Sequence, residues 1–298
     1  MATMLVDTGY RIIGLDNKQT AGSQIDVFLG DLRSSDDMCQ IIREANPKYV
    51  LHLAAVTERE ESYPETLYKT NVYGTLNLFN AITKFAPDAK VCVVGSSAEY
   101  GLTDPNDCPI VEDHPLRPVT LYGISKVAQS LVAQRAWLIE NLHVTRTRTF
   151  NLIGPGQPDS FAPSTFAFQV AKAEAGLIPP EIMTHRLSDY RDYIDIRDAA
   201  RAYWAIVKNG KPGIIYNVCS GRAVQIFEIV DILLHYSNIK LSVRIDDKSD
   251  TASIVPFQFG SNELLAEHTN WKPEIDIEQS VYDLLVYWRQ FVRNYGSK

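Results

Sequence analysis

The feature that most constrains this chain is the rhythm of its first half, where short apolar runs alternate with longer stretches of helical periodicity. YRIIGLD (10–16), IDVFLGD (25–31), KYVLHLAA (48–55), KVCVVGSS (90–97) and HVTRTRTF (143–150) read as strands. SSDDMCQIIREA (34–45) opens on Ser and Asp, as a capped helix does, and sets Met38, Ile41, Ile42 and Ala45 on one side. A long helix is predicted from Pro64 to about Phe85, with Leu67, Val72, Leu76, Leu78, Phe79 and Ile82 along its apolar side. Another is predicted over LYGISKVAQSLVAQRAWLIENL (121–142). Parallel strands need a crossover, and a helix that packs back onto the sheet supplies one. The expectation is therefore an α/β fold with a doubly wound parallel sheet covered on both faces.

Beyond Asn151 the rhythm breaks. Pro and Gly cluster at GPGQPDSFAPS (154–164) and GLIPP (176–180), and the segments become irregular. A helix at Asp195–Lys208 and a strand at Gly213–Asn217 read as returns to the sheet. FEIVDILLHYS (227–237) and IEQSVYDLLVYWRQFV (277–292) have the pattern of amphipathic helices in a smaller C-terminal lobe. The division expected is residues 1–160 for the first domain and 161–298 mainly for the second, with 195–219 rejoining the first.

Composition excludes several classes of function. Lys plus Arg number 29 against 36 Asp plus Glu, a net charge of -7 with no basic run, which disfavours nucleic acid as a partner. No apolar stretch approaches the roughly 20 residues that span a bilayer, so no membrane association is expected. MATMLVDTGY lacks the basic-then-apolar layout of a signal peptide. Cys39, Cys92, Cys108 and Cys219 are scattered without a CxxC pair, and Cys92 and Cys219 lie in apolar runs as small buried hydrophobes. A reduced, cytoplasmic setting fits them. His52, His114, His143, His185, His235 and His268 show no ligand spacing, so no metal is expected.

Two features point to chemistry. Tyr122 and Lys126 are four apart, which puts them on one side of a helix, where an ammonium favours the phenolate. Such a Tyr exchanges a proton with a sugar hydroxyl or carbonyl near neutral pH. About a strand and a loop earlier, VCVVGSSAEYG (91–101) is an apolar strand that ends in two Ser, an acid and a Gly turn. Ligands of parallel sheets lie at the carboxyl ends of strands, so a Ser there can hold the oxygen that the Tyr protonates. Ser96 and Ser97 can also simply cap a turn.

These segments, together with LHLAA (51–55), TNVYGTLNLFNA (70–81), RTFNLIGPGQ (148–157), RDYIDIRDAARAYW (191–204), YNVCSG (216–221) and GSNELL…TNWKP (260–273), resemble the extended short-chain dehydrogenase/reductases of the NAD-dependent epimerase/dehydratase family. The resemblance spans nearly the whole chain. It implies a Rossmann-like dinucleotide-binding domain over 1–160 and a lobe for a nucleotide sugar. Ser97, Tyr122 and Lys126 would be the catalytic triad, with Asn71 completing a proton relay through Lys126 or, alternatively, bonding backbone. Asp16 and Asn17 would meet the adenosine ribose of NAD or NADP, and the Asp16 carboxylate favours NAD, a preference Lys18 softens. Asp31 and Leu32 would flank the adenine, and Leu53, Ala54 and Ala55 would let the cofactor approach. Asn151 and Arg191 match substrate positions, the Arg toward a diphosphate or paired with Asp192 or Asp195. Within the family, the GSSAEYG corner, FNLIGPGQ and YNVCSG point to reduction of the C4 ketone of a GDP-4-keto-6-deoxy-hexose. A 4,6-dehydration of GDP-mannose is the alternative, with Glu99 removing the C5 proton unless it is a solvated turn residue. The two long helices match those that pair in family homodimers.

Two departures qualify the resemblance. No G-x-G-x-x-G or G-x-x-G-x-x-G occurs among the 16 glycines, and MATMLVDTGY resembles the tail of the helix that follows that loop in the family. The sheet is therefore expected to lack its first strand, and the chain to be a shortened product or one that binds dinucleotide weakly or not at all. In that last case it would be a non-catalytic scaffold or partner subunit. Secondly, Thr251-Ala-Ser-Ile-Val255 stands where an Arg that grips the nucleotide is expected; Arg222 or Lys248 would replace it, or be solvated charges.

Overall fold

The computed structural model describes residues 5, 9–18, 25–57, 64–185, 187–245 and 254–295. Its main sheet holds four parallel strands: β3 (Tyr49–His52), β4 (Lys90–Ser96), β5 (His143–Thr149) and β10 (Ile215–Val218), in the order β10-β5-β4-β3. The register runs Tyr49↔Lys90, Lys90↔His143 and Ile215↔Arg146. Val91, Cys92 and Val93 are all buried, as a strand covered on both faces requires. β1 (Ile13–Asp16) and β2 (Asp26–Leu29) pair in parallel with each other and, among the described residues, with no other strand. The interruption expected of the sheet is therefore seen. Leu15 and Phe28 tie this pair to the molecule by packing instead.

Helices cover the sheet as predicted. On one face lie α1 (Ser35–Ala45), α3 (Thr75–Phe85) and α4 (Leu121–Glu140), whose Met38, Ile82 and Ala133 share a core with Val91 and Val144. On the other lies α6 (Ile196–Asn209), where Ile206 and Val207 pack on Cys92 and Val218. The helix predicted from Pro64 runs as α2 (Pro64–Tyr68), a π turn (Lys69–Gly74) and α3. π turns of this kind often mark functional sites.

β5 departs from the apolar rule. Thr145, Arg146, Thr147, Arg148 and Thr149 are all buried, and most of their polar groups find partners, Arg146 Nε being an exception. Arg146 reaches Gly213 O (2.9 Å) and, on α4, Ser130 Oγ and Gln134 Oε1 (both 3.3 Å). Thr145 donates to Val91 O at 3.1 Å.

The C-terminal lobe has its own core, in which Phe166 and Val170 of α5 (Ala162–Glu174), Ile229 and Leu233 of α7 (Ile226–Tyr236), and Leu284 and Trp288 of α9 (Ile277–Tyr295) meet. Where the sequence reads as irregular after Gly154, the structure builds α5, because Pro163 falls in its first turn, a position that tolerates proline. Three further small sheets form: β6 (Asn151–Ile153) pairs with β9 (Tyr193–Asp195), β7 (Glu181–Thr184) pairs with β12 (Ser242–Ile245), and β8 (Tyr190–Arg191) joins β11 (Val224–Gln225) to β13 (Phe257–Gln258). Among the described residues no helix is long and apolar enough to cross a membrane.

Candidate active site

A cavity of about 790 Å³ opens at the carboxyl ends of β4 and β5 and extends into the C-terminal lobe. Ser97, Tyr122 and Lys126 all line it, with Leu53 and Ala55 on one side and Asn151 and Arg191 on the other.

The corner after β4 gives the two serines different local tasks, though both line the cavity. Ser96 is the cap: its Oγ accepts from Ala98 N at 3.2 Å while Glu99 Oε1 accepts from Ser96 N at 3.0 Å. Ser97 starts the short 3₁₀ turn and stands in the cavity wall. The chain then leaves through Gly101 at φ +61, where an added Cβ would overlap the Arg117 carbonyl, so only glycine fits. Opposite, Thr120 caps α4 by accepting from Gly123 N at 3.0 Å, which sets Tyr122 and Lys126 in its first turns.

Lys126 is 2% exposed, and its Nζ donates to Val94 O at 2.7 Å and to Gln129 Oε1. Burial brings its ammonium down to about 8, and the Glu99 charge acts in the opposite direction. Glu99 itself differs from both readings of the sequence. It is fully buried, neither solvated nor in the cavity wall, because its second oxygen takes Arg148 Nε at 3.2 Å. Burial raises its carboxyl above the usual range against the pull of Arg148.

Several other expected site residues lie outside the cavity. Asn71 is buried in the π turn, where its amide clamps both backbone groups of Val56 (2.8 and 3.1 Å) and donates to Ser125 Oγ at 3.0 Å. Its side chain thus bonds both backbone and the Ser125 hydroxyl. Asp16 and Asn17 are exposed at the end of β1, and the Asp16 carboxylate accepts from Lys18 N at 3.0 Å. Asp31 is engaged by the Arg33 side chain, which holds its carboxyl below the usual range. Leu32 is core, packed with Met38 and Leu78, and Ala54 is exposed beside the cavity rather than in its wall.

Arg191 pairs with neither Asp192 nor Asp195. Its guanidinium meets Asp189 Oδ2 at 3.3 Å and Tyr190 O at 2.8 Å. Asp195 is taken by Arg197, and Asp192 has another task. Its buried carboxylate accepts from Ser220 N and Oγ (both 2.7 Å), Gly221 N (3.0 Å) and Gly260 N (3.3 Å). One side chain thereby joins the RDYID, YNVCSG and GSN segments, and burial pushes it up to about 6. Arg222 pairs with Glu228 at 2.6 Å and does not line the cavity; Lys248 lies outside the described residues. The sequence marks Gln129 only by its spacing, three residues after Lys126 on one helix, and carries no sign of the part His52 plays beside it. Among the described residues no group of side chains could hold a metal ion.

A parallel sheet with a Ser, a Tyr and a Lys at its carboxyl edge defines a class, the short-chain dehydrogenase/reductase fold. The chain belongs to the NAD dependent epimerase/dehydratase family, whose model matches residues 1–219. It is 32% identical to the GDP-6-deoxy-D-mannose reductase of Pseudomonas aeruginosa over 88% of this chain and 87% of that one. The structure of RMD from Pseudomonas aeruginosa complexed with NADPH superposes with a TM-score of 0.83 at 30% identity, covering 92% of this chain and 93% of that one. A UDP-glucose 4-epimerase of Neisseria gonorrhoeae is 26% identical over 99% of this chain and 94% of its own length.

Proposed function

We propose that this protein is a nucleotide-sugar reductase that reduces the C4 ketone of a GDP-4-keto-6-deoxy-hexose with NADH or NADPH. The observation that carries the choice of reaction is the composition of the cavity wall. Among the described residues, Tyr122, Lys126 and Arg191 line it, and no Asp or Glu does. A 4,6-dehydration needs a base at C5, and the acid expected to serve, Glu99, is locked behind the wall by Ser96 and Arg148. Reduction at C4 needs only a proton donor, an oxygen holder and a hydride. The 32% identity to the Pseudomonas reductase supports the same choice.

Leu53, Ala55 and Lys126 would hold the nicotinamide half of the cofactor, which when bound would supply the hydride. Asp16 and Asn17 would meet the adenosine ribose, with Asp31 and Leu32 nearby; the Asp16 carboxylate favours NADH over the extra phosphate of NADPH. Ser97 holds the ketone oxygen, and Tyr122 gives it a proton as the alkoxide forms. The ammonium of Lys126 lowers the cost of leaving Tyr122 as phenolate. Arg191 offers donors to the diphosphate and Asn151 to the sugar, in a cavity whose charged lining, among the described residues, is cationic.

Assembly is part of the proposal. On α4, Ile124 (42%), Leu131 (58%) and Leu138 (54%) recur at heptad spacing in an exposed row, with Tyr73 of the π turn at 63%. We infer a homodimer in which these helices pair with their copies, in a reducing, cytoplasmic setting.

The test is direct. Incubated with GDP-4-keto-6-deoxy-mannose, the protein should oxidise NADH or NADPH, and incubated with GDP-mannose alone it should give no product. Spontaneous formation of a 4-keto-6-deoxy sugar would make it a dehydratase. Failure to bind either dinucleotide, with no shift in melting, would favour a non-catalytic scaffold.

A further inference from the structure

An ammonium has three N–H donors, and Lys126 is nearly closed off from water. Two donors are spent inside the protein, one on the Val94 carbonyl and one on Gln129 Oε1. Lys126 also lines the cavity, so the third is left for whatever occupies it. Gln129 is itself 1% exposed, less than a turn further along α4. Its amide is held from the far side, with Nε2 3.1 Å from Thr75 Oγ1 and 3.2 Å from His52 Nε2. Thr75 is anchored in turn on Asn71 O at 2.7 Å and lies 2.8 Å from His52 Nε2. These contacts turn the amide nitrogen toward β3 and α3, and so its oxygen toward the ammonium.

We propose that Gln129 is a positioning residue, whose carbonyl grips the Lys126 ammonium against Val94 and leaves its remaining N–H for the ligand. Both acceptors in the grip are neutral. The ionisable groups facing Lys126 are Glu99 from the corner after β4, backed by Arg148 of β5, His52 from β3, and Tyr122 from α4 itself. His52 does not compete for charge, since burial first and Lys126 second hold it neutral, down to about 3. The consequence for turnover rests on the proposed reductase reading; the grip does not.

The test reads the ionisation of Lys126 directly, by trace acetylation of amines across the alkaline range followed by mass spectrometry. Gln129→Glu keeps the reach of the side chain and makes the acceptor anionic, so the Lys126 titration should move up by about one pH unit. Gln129→Leu removes the acceptor, so the titration should move down and reduced-dinucleotide binding weaken about tenfold. Gln129→Glu should retain that binding. If Gln129→Leu does not fold, Gln129→Glu decides alone. A Lys126 titration unmoved in variants that melt like the parent overturns the proposal. Absence of dinucleotide binding in the parent overturns the reductase reading instead, and leaves the titration to decide this one.

Discussion

The two halves of the buried Glu99–Arg148 pair are not equally replaceable, and the difference separates a structural carboxylate from a catalytic one. In Arg148→Met, Glu99 keeps only its bond from Ser96 N in a fully buried place. Removing one side of a buried pair in this way costs about 3–5 kcal/mol. In Glu99→Gln, the amide oxygen still accepts from Ser96 N, but the amide nitrogen faces Arg148 Nε, so one charge-assisted bond of about 1.5–3 kcal/mol goes. Arg148 is partly supported in that variant, because it still donates to Glu112 O at 2.8 Å and lies 4.7 Å over the Tyr100 ring. The double variant should therefore cost less than the two singles together, by about 1–3 kcal/mol. Urea unfolding at neutral pH measures all three. Dinucleotide oxidation by the same preparations should remain within about threefold of the parent for Glu99→Gln, under 1 kcal/mol of barrier. A Glu99→Gln protein as stable as the parent, with turnover lower by about a hundredfold or more, would refute the reasoning and return Glu99 to the chemistry.

Other substitutions address other parts of the molecule. Tyr122→Phe, in a side chain of the cavity wall, should lose about 10²–10⁴ in turnover while the reduced dinucleotide still binds, as a titration of cofactor fluorescence would show. Asp192 titrates near 6 when folded against 3.8 in the open chain, so the folded state holds the extra proton between those values. Stability should accordingly fall as pH rises through that window, by about 3 kcal/mol, and denaturation of Asp192→Asn as a function of pH should show that slope removed. Leu131→Glu with Leu138→Glu should give a monomer by light scattering if α4 pairs with its copy; a dimer that persists would place the interface elsewhere.

Much of the scaffold was legible because its signals are local. VCVV between Lys90 and Gly95 reads as a buried strand, and the Ser and Asp that open SSDDMCQIIREA read as the start of a capped helix, whatever lies elsewhere in the chain. That Ser97, Tyr122 and Lys126 share one cavity was legible for the same reason, a strand end and one face of a helix. What stayed hidden depends on partners far off in sequence. Arg146 and Arg148 give β5 the alternation of a half-exposed strand, and only Gly213, Ser130 and Glu99 explain why both are buried. Glu99 looks like an acid on a Gly turn until Arg148 is brought beside it. Arg191 has acids on both sides in sequence, and β8 and its neighbours turn it to Asp189 rather than to the adjacent Asp192, whose oxygens are saturated by two loops.

The separation of β1 and β2 from the main sheet has a consequence for how the molecule opens. No ladder of backbone bonds among the described residues joins that pair to β3, so only side chains such as Leu15 and Phe28 resist its departure. Amide hydrogens of Ile13–Asp16 should exchange through a sub-global opening well below the cost of unfolding β4 and β5. The proposed adenosine end of the site thus rides on a foldon of its own, and a bound dinucleotide would be recorded there as slowed exchange before anywhere else.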